Sequence, residues 1–228
     1  MSEHDTLADR FRRVSESVGN AVAEAGRKPD EVTTIVVTKF HPASLVRDLY
    51  DLGVRRFGES RHQEASAKAA ELADLDLEWH YIGQLQSKKA RQARQYARVI
   101  HSLDRESLVT ALASDDAAAP VDVFVQVNLT DDEARGGVRP VALDSFVDLV
   151  LETPGIRLLG LMTVAPLGDE PRPAFVALRE LSERVQHTAP DATALSMGMS
   201  GDYREAILEG ATHLRIGTAI TGNRPVHG

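Results

Sequence analysis

Residues 33–60 read TTIVVTKFHPASLVRDLYDLGVRRFGES and combine two kinds of hydrophobic periodicity in a short span. A β-branched apolar run at 33–38 is typical of a buried strand, and apolar residues at steps of three and four across 43–51 indicate a helix. Pro42 marks the start of that helix and Gly53 its end. Because a second short strand pattern follows at 54–57, the stretch predicts a parallel strand–helix–strand unit.

The same alternation continues to the end of the chain. Strand-like runs recur at about 79–82, 99–102, 122–127, 156–162, 194–197 and 213–216. Helical patterns follow or separate them at about 61–73, 87–97, 105–114, 141–152, 173–187 and 202–209, and a further amphipathic helix covers 6–25. Eight strand–helix units predict an α/β fold, a (β/α)₈ TIM-type barrel with an extra N-terminal helix. A doubly wound sheet is the alternative.

Composition narrows the class of protein. The chain has 228 residues, of which 43% are hydrophobic and 26% charged, and nothing in it looks like a linker, so we expect one domain over 1–228. No apolar run approaches the roughly 20 residues of a membrane helix, and the polar start MSEHDT is unlike a signal peptide. With no cysteine to form disulfides or thiolate metal sites, a cytoplasmic protein that does not bind membranes is the simplest expectation.

Charge and histidine spacing argue against two further classes. A net charge of −8 disfavours a general nucleic-acid binder. The eight histidines show no metal-ligand spacing, so we expect no metal site. One predicted helix carries a basic stripe, interpreted as a solvated face or alternatively as a surface for an acidic partner. The stripe consists of Lys88, Lys89, Arg91, Arg94 and Arg98.

Lys39 is the most informative candidate at the predicted rim. Active sites of (β/α)₈ barrels lie at the carboxyl ends of the strands, where Lys39 follows the first strand. The 26 basic residues include only five lysines, so a lysine leaving an apolar strand invites a chemical explanation. Partial burial there lowers the pKa of an amine and makes it a nucleophile toward carbonyl groups. The alternative is a lysine that reaches solvent or pairs with Glu59.

Two later loops suggest a phosphate site. Ser200 stands where it would cap a helix that begins near Asp202, and Gly217 and Thr218 follow the last strand. The loops after strands seven and eight are the common phosphate site of such barrels. Ordinary capping explains either loop alone, whereas both together favour phosphate.

Arg215 is expected to point into the barrel mouth, because it precedes Gly217 by two residues on the last strand. Its partner there is either a carboxylate, such as Glu59 or Asp104, or a ligand atom. A lysine amine beside a phosphate cradle on one barrel mouth fits pyridoxal 5′-phosphate (PLP).

Several long motifs in order extend this interpretation over nearly the whole chain. They are VTKFHPA (37–43), FGESRHQE (57–64), WHYIGQLQSKK (79–89), HSLDR (101–105), QVNLTDDEARGGV (126–138), GLMTVAP (160–166), LSMGMSGD (195–202) and RIGTAITGNR (215–224). With these motifs the chain resembles the pyridoxal phosphate homeostasis protein family, also called YggS/PROSC. The resemblance implies the barrel of the alanine racemase N-terminal domain.

The resemblance also implies roles for individual residues. Lys39 would hold PLP as an aldimine, and Arg215 would face the pyridine nitrogen. The positions expected to bind the phosphate or another part of the cofactor are Ser60, Met199, Ser200, Gly217 and Thr218. Four positions depart from the usual family pattern: Ser60 and Lys88 replace Asn, Thr221 replaces Phe, and Arg135 replaces Lys.

The function implied is a carrier or regulator that binds PLP, buffers it and delivers it to PLP-dependent apoenzymes. We expect a monomer without catalytic activity, because the chain ends at Gly228, before any second domain like that of alanine racemase. The alternative is a small PLP-dependent racemase, for which Tyr203 and His80 are the only candidates as a second acid/base group. A third hypothesis is a scaffold that binds partners through the basic stripe.

Overall fold

A computed structural model describes residues 5–116, 119–132, 134–166 and 168–223 of the chain. Eight parallel strands close into a barrel in the order β1-β2-β3-β4-β5-β6-β7-β8. They are β1 Thr33–Val37, β2 Arg56–Glu59, β3 Glu78–Tyr81, β4 Ala97–Leu103, β5 Val121–Gln126, β6 Ile156–Met162, β7 Ala194–Ser196 and β8 His213–Ile216. The closed barrel confirms the first fold prediction and excludes the doubly wound sheet. The predicted single domain over 1–228 extends beyond the described residues, as does motif residue Arg224.

Helices surround the barrel and link its strands. They are α1 Leu7–Glu24, α2 Ala43–Asp51, α3 His62–Glu71, α4 Ala90–Ala93, α5 Glu106–Leu112, α6 Leu143–Glu152, α7 Arg172–Val185, α8 Tyr203–Leu208 and α9 Thr218–Thr221. The extra helix α1 begins with a capping box in which Thr6 and Asp9 bond each other's backbone N–H groups. It packs against α8 and α9, and so covers the side of the barrel where β8 pairs with β1.

Most of the apolar core lies between the strands and the helices. Outward-facing residues such as Val36, Phe57 and Ile100 pack there with helix residues such as Leu49 and Phe175, and all five are almost fully buried. The barrel interior holds a smaller apolar cluster of Val99, Phe124 and Met162. Three histidines, His80, His101 and His213, lie beside the Phe124 ring or in ring contact with one another.

The register of β1 against β8 positions the candidate site. Ile35 pairs with Arg215 and Val36 with Ile216, so the carboxyl ends of the two strands lie side by side. Gly217 follows β8 so closely against Val37 that an added Cβ would be 3.4 Å from the Val37 Cβ. Lys39 and the loops after β7 and β8 therefore share one rim of the barrel.

The structure differs from the sequence prediction at three elements. The predicted second strand at 54–57 lies two residues later, as β2. The predicted helix at 87–97 is a 3₁₀ turn at Ser87–Lys89 followed by the four-residue α4, and Arg98 belongs to β4. Its basic residues therefore do not form one helical stripe. The short helix α9 was not predicted, because the four residues TAIT show no hydrophobic periodicity.

Candidate functional site

Lys39 lies two residues beyond β1, half-buried at the barrel rim. The next residue, Phe40, has a φ of 70°, a left-handed conformation that bulky side chains rarely adopt. Its N–H donates to Glu64 Oε1 at 2.5 Å, and the Arg61 guanidinium lies 4.6 Å from the centre of its ring. Strain of this kind costs on the order of 1–3 kcal/mol and is concentrated at functional sites. The α3 side chains thus fix the backbone that carries Lys39.

A buried ion pair lies beneath this turn. Lys68 Nζ donates to Glu59 Oε1 at 2.7 Å, to Glu64 Oε1 at 2.8 Å and to the Thr38 carbonyl oxygen at 2.8 Å. Burial raises the pKa of Glu59, although the charge of Lys68 opposes the rise. Lys68 therefore has the place beside Glu59 that the alternative interpretation assigned to Lys39. Sequence reasoning missed Lys68, although its i, i+4 spacing from Glu64 was a signal.

Ser200 does not cap α8, which corrects the sequence prediction. The residue at the α8 N-cap is Asp202, and its Oδ1 accepts the Met199 N–H at 2.5 Å. Ser200 Oγ instead accepts the N–H groups of Gly217 and Ala219, each at 3.3 Å. The loop after β7 is thereby joined to the first turn of α9. The two loops predicted to form a phosphate site do meet, through a different helix.

Arg215 is buried inside the barrel, with 5% of its surface exposed. Its Nη1 donates to Ser196 Oγ at 2.5 Å and its Nη2 to the Thr163 carbonyl oxygen at 2.9 Å. Neither is a carboxylate: Glu59 accepts from Lys68, and Asp104 accepts from Arg105 at 2.6 Å. Burial lowers the pKa of Arg215 to about 10, so the guanidinium stays charged at neutral pH.

The remaining candidate residues lie on the same rim with different exposure. Ser60 and Met199 are half-buried, whereas Thr218 is exposed at the start of α9. The carbonyl oxygen of Ser60 accepts the Tyr81 hydroxyl at 3.1 Å. A cleft of about 420 Å³ opens beside Ser60 and is also lined by Lys89. A larger cleft of about 630 Å³ lies at the amino ends of β4 and β5, away from Lys39.

A β-bulge in β4 contributes another polar group that the sequence only hinted at. Ile100 pairs with Val123 and Leu103 with Val125, so His101 and Ser102 both stand opposite Phe124. Ser102 Oγ is buried and has no hydrogen-bond partner within the described residues. Buried polar atoms are nearly always satisfied, so an unmatched hydroxyl in a barrel strand indicates a ligand or water partner.

These groups fit PLP as a ligand. A charged Arg215 with neutral partners suits a ring nitrogen that accepts a hydrogen bond. The Gly217 and Ala219 N–H groups and the Ser200 hydroxyl suit phosphate oxygens. The half-buried amine of Lys39 suits an aldehyde.

The basic residues of the predicted stripe have separate roles. Arg94 donates to the carbonyl oxygens of Leu112, Gly155 and Ala119, and so ties three chain segments together. Arg98 lies 3.8 Å from Asp122. In the ranges that the structure describes, His, Asp and Glu side chains form no group able to hold a metal ion. No described helix is both long and apolar enough to cross a bilayer.

Comparison with known proteins identifies the family. The family model of the alanine racemase N-terminal domain matches residues 20–225. The pyridoxal phosphate homeostasis protein of Mycobacterium leprae is 41% identical over 95% of this chain and 92% of its own length. That of Escherichia coli is 34% identical over 96% of this chain and 97% of its own. This chain belongs to the pyridoxal phosphate homeostasis protein family.

Solved structures agree with this family assignment. PipY of Synechococcus elongatus, a structure with PLP bound, superposes with a TM-score of 0.84 at 36% identity, over 95% of this chain and all of PipY. Alanine racemase from Corynebacterium glutamicum superposes with a TM-score of 0.70 at 17% identity and shares the fold. The superposition covers 94% of this chain but 62% of that racemase. The pyridoxal phosphate homeostasis protein family thus shares its barrel with a larger enzyme.

Proposed function

We propose that this protein binds PLP covalently through Lys39 and acts in PLP homeostasis as a carrier or regulator. The observation that carries the proposal is the PLP-bound structure of PipY, whose whole length matches this chain at 36% identity. The names of the curated relatives from Mycobacterium leprae and Escherichia coli support the same role.

Lys39 is the proposed covalent anchor. When bound, PLP supplies an aldehyde, which condenses with a lysine amine with loss of one water and is released again by water or by another amine. The strained Phe40 turn, bonded to Glu64, holds the Lys39 backbone in one conformation. Fixing the backbone that carries the amine reduces the entropy that is lost when the link forms.

The other proposed contacts surround Lys39 on the neighbouring strands. Arg215 faces the ring nitrogen and, as a charged donor, keeps that nitrogen from taking up a proton. Ser200, Gly217 and Thr218 bind the phosphate through hydroxyl and backbone N–H groups. Ser60 and Met199 contribute contacts from the loops after β2 and β7.

The surroundings of Tyr203 and His80, the two candidates for a second acid/base group, favour carrier activity over racemisation. A racemase needs an acid/base group on each face of its substrate. The Tyr203 hydroxyl bonds to Ser17 on the outer helix α1 at 2.8 Å. His80 is enclosed in the barrel, bonded to Glu78 and His101. Both groups are already committed to structural hydrogen bonds.

The proposed partners follow from a carrier role. PLP-dependent apoenzymes with an accessible lysine amine would receive the cofactor by exchange at Lys39, and the carrier acts as a monomer. The scaffold hypothesis stays an alternative: Arg94 and Arg98 are engaged within the protein, whereas Lys88 and Arg91 are exposed.

The decisive experiment is visible absorption of the purified protein with PLP, followed by borohydride reduction and peptide mass mapping. We expect a yellow band and a pyridoxyl group on Lys39. The Lys39→Ala variant should lose the band, whereas Lys28→Ala, which removes an exposed lysine, should keep it. Equal loading of Lys39→Ala, or pyridoxyl groups scattered over surface lysines, would contradict the proposal.

A second measurement separates carrier from racemase. Chiral chromatography of alanine and serine after long incubation with the PLP-loaded protein should show no loss of optical purity beyond that in the Lys39→Ala control. Racemisation that depends on Lys39 would favour the enzyme.

A further inference from the structure

A continuous chain of hydrogen bonds crosses the barrel interior from Arg215 to the opposite end. Arg215 Nη1 donates to Ser196 Oγ at 2.5 Å, and Ser196 Oγ lies 2.8 Å from His101 Nδ1. His101 Nε2 lies 2.9 Å from His80 Nδ1, and His80 Nε2 lies 2.9 Å from Glu78 Oε1. We call these five residues the cross-barrel relay. Four of them are at least 95% buried, while Glu78 begins β3 with 39% of its side chain exposed.

When both imidazoles are neutral, the end groups fix the direction of every hydrogen bond in the cross-barrel relay. A guanidinium only donates and an ionised carboxylate only accepts. The hydrogen bond from His80 holds the pKa of Glu78 at about 2, so Glu78 is ionised at neutral pH. Ser196 therefore accepts from Arg215 and donates to His101 Nδ1. His101 Nε2–H donates to His80 Nδ1, and His80 Nε2–H donates to Glu78.

Both imidazoles must be neutral in this arrangement, and their surroundings agree. Burial lowers the pKa of His80, and it lowers that of His101 well below the usual value. Other charged or titratable groups that face the two rings are Arg56, Asp122, His213 and Arg215. Arg56 bonds to Glu78 at 3.1 Å, and Asp122 is occupied by Arg157 at 2.6 Å.

The cross-barrel relay resolves an imbalance at Arg215. A buried charge normally has a charged partner in contact, yet the two groups that Arg215 contacts, Ser196 Oγ and the Thr163 carbonyl oxygen, are neutral, and the carboxylate of Asp202 acts on it only through space. Three aligned polar groups connect it instead to the carboxylate of Glu78. Dipoles that point in one direction between a cation and an anion stabilise both, and chains of hydrogen bonds polarise one another.

We propose that Glu78 is a remote counter-charge of Arg215, and that Glu78, His80, His101 and Ser196 are positioning residues that fix Arg215 against the PLP ring nitrogen. The proposal rests on the proposed function, in which Arg215 faces that nitrogen. It links a partly exposed carboxylate at the amino end of the barrel to the cofactor at the carboxyl end. A change of charge at Glu78 therefore alters how the ring is held, without any contact between Glu78 and PLP.

The first test uses the protein without PLP and reads the histidine rings by ¹H–¹⁵N correlation NMR. The cross-barrel relay requires His80 and His101 to be neutral with the proton on Nε2 at pH 7. A proton on Nδ1 of either ring, or a charged ring, would overturn the proposal. This result is independent of whether the protein binds PLP.

The second test measures the PLP dissociation constant and the pH titration of the visible band of lysine-bound PLP. Glu78→Gln removes the charge but keeps an oxygen acceptor, and His101→Phe breaks the chain while retaining an aromatic ring against Phe124. We expect each to change the dissociation constant by about threefold or more and to shift the titration midpoint. His213→Gln is the matched control, because His213 lies against the same Phe124 but its Nδ1 bonds to Thr212.

The outcomes separate the two proposals. If the wild-type protein shows the visible band, and Glu78→Gln leaves the PLP dissociation constant and the pH titration midpoint unchanged, the role of the cross-barrel relay is refuted. The proposed function then remains intact. No band in the wild-type protein would refute the proposed function, and the role of Arg215 toward PLP with it. If the His101→Phe variant fails to fold, the Glu78→Gln variant alone decides, because it changes only the partly exposed carboxylate at the end of the cross-barrel relay.

Discussion

At the scale of single residues, Lys68 links the barrel core to the Lys39 turn. Its side chain is 6% exposed and its amine bonds to Glu59 and Glu64, and Glu64 in turn accepts the Phe40 N–H. A buried ion pair of this kind gains little over apolar packing, but removing one partner strands the other charge. Lys68 therefore joins β2, through Glu59, to the turn that carries Lys39.

Lys68→Met should destabilise the protein strongly and in a pH-dependent way. At pH 8 we expect a loss of about 3–5 kcal/mol in the free energy of unfolding, because Glu59 remains buried without its cation. Without Lys68 the pKa of Glu59 rises further, so at pH 5 more of the carboxyl is protonated and the loss shrinks.

Urea unfolding at the two pH values measures this loss. Lys28→Met, at an exposed lysine, is the control and should stay near wild type at both. A Lys68→Met variant as stable as the control at pH 8 would show that the ion pair contributes nothing.

Sequence reasoning finds some of these residues better than others. Lys39 and Arg215 can be singled out from the sequence, because each is a charged residue at or just beyond the end of an apolar strand. The cross-barrel relay cannot be, because His80, His101 and Ser196 come from three strands whose register is not visible in the sequence. Contacts between distant strands depend on barrel closure, which local pattern does not encode.

At the scale of secondary structure, the junction of the β7 loop with α9 is the element that a phosphate would use. Ser200 Oγ accepts the Gly217 and Ala219 N–H groups, so these donors already converge on one oxygen. Phosphate oxygens can take over both N–H groups while the serine hydroxyl donates to the same phosphate.

Ser200→Ala should therefore weaken PLP binding by about tenfold, the value of one charge-assisted hydrogen bond of about 1.4 kcal/mol. Absorption titration with PLP gives the dissociation constant. Ser17→Ala is the matched control, since Ser17 is exposed on α1 and its hydroxyl bonds to Tyr203 rather than to the Gly217 and Ala219 N–H groups. Equal affinities of the two variants would exclude Ser200 from the phosphate site.

The errors at this scale have a common cause. The apolar–polar pattern of 87–97 is continuous, yet helix α4 ends at Ala93 and strand β4 begins at Ala97. Arg94 bonds to three carbonyl oxygens from other loops and so ends the helix through tertiary contacts. Ser200 was assigned to the wrong helix because α9 has only four residues, too few for a periodic signal.

At the scale of the whole molecule, the barrel was predictable because eight repeats of one pattern leave few alternatives. A sheet of parallel strands joined by helices either closes into a barrel or stays open, and the regular alternation through β8 favours the closed barrel. The polar content of the interior was not predictable. A barrel of this kind is usually filled with branched apolar side chains, whereas this one encloses His80, His101 and Arg215.

Two enclosed histidines, His80 and His101, and the half-buried His213 make the stability of the fold sensitive to acid. Burial lowers the pKa of His213 to about 4 and keeps those of His80 and His101 below the ordinary value. In the unfolded chain all three rings regain a pKa near 6.5 and bind more protons than in the folded protein. The histidines therefore leave the free energy of unfolding undiminished above about pH 6.5. As the pH drops toward 4 they lower it, by up to about 1.4 kcal/mol per pH unit for each ring.

We expect urea unfolding between pH 7 and pH 5 to show this loss before the carboxylates titrate. His213→Gln removes one of the three rings and should reduce the slope by about one third, since each ring contributes one proton. His187→Gln, at an exposed position after α7, should leave the slope unchanged. Stability that is constant from pH 7 to pH 5 would mean that the rings take up protons in the folded protein as readily as in the unfolded chain. The cross-barrel relay, which needs neutral rings between Arg215 and Glu78, would then be lost as the pH falls through about 6.5.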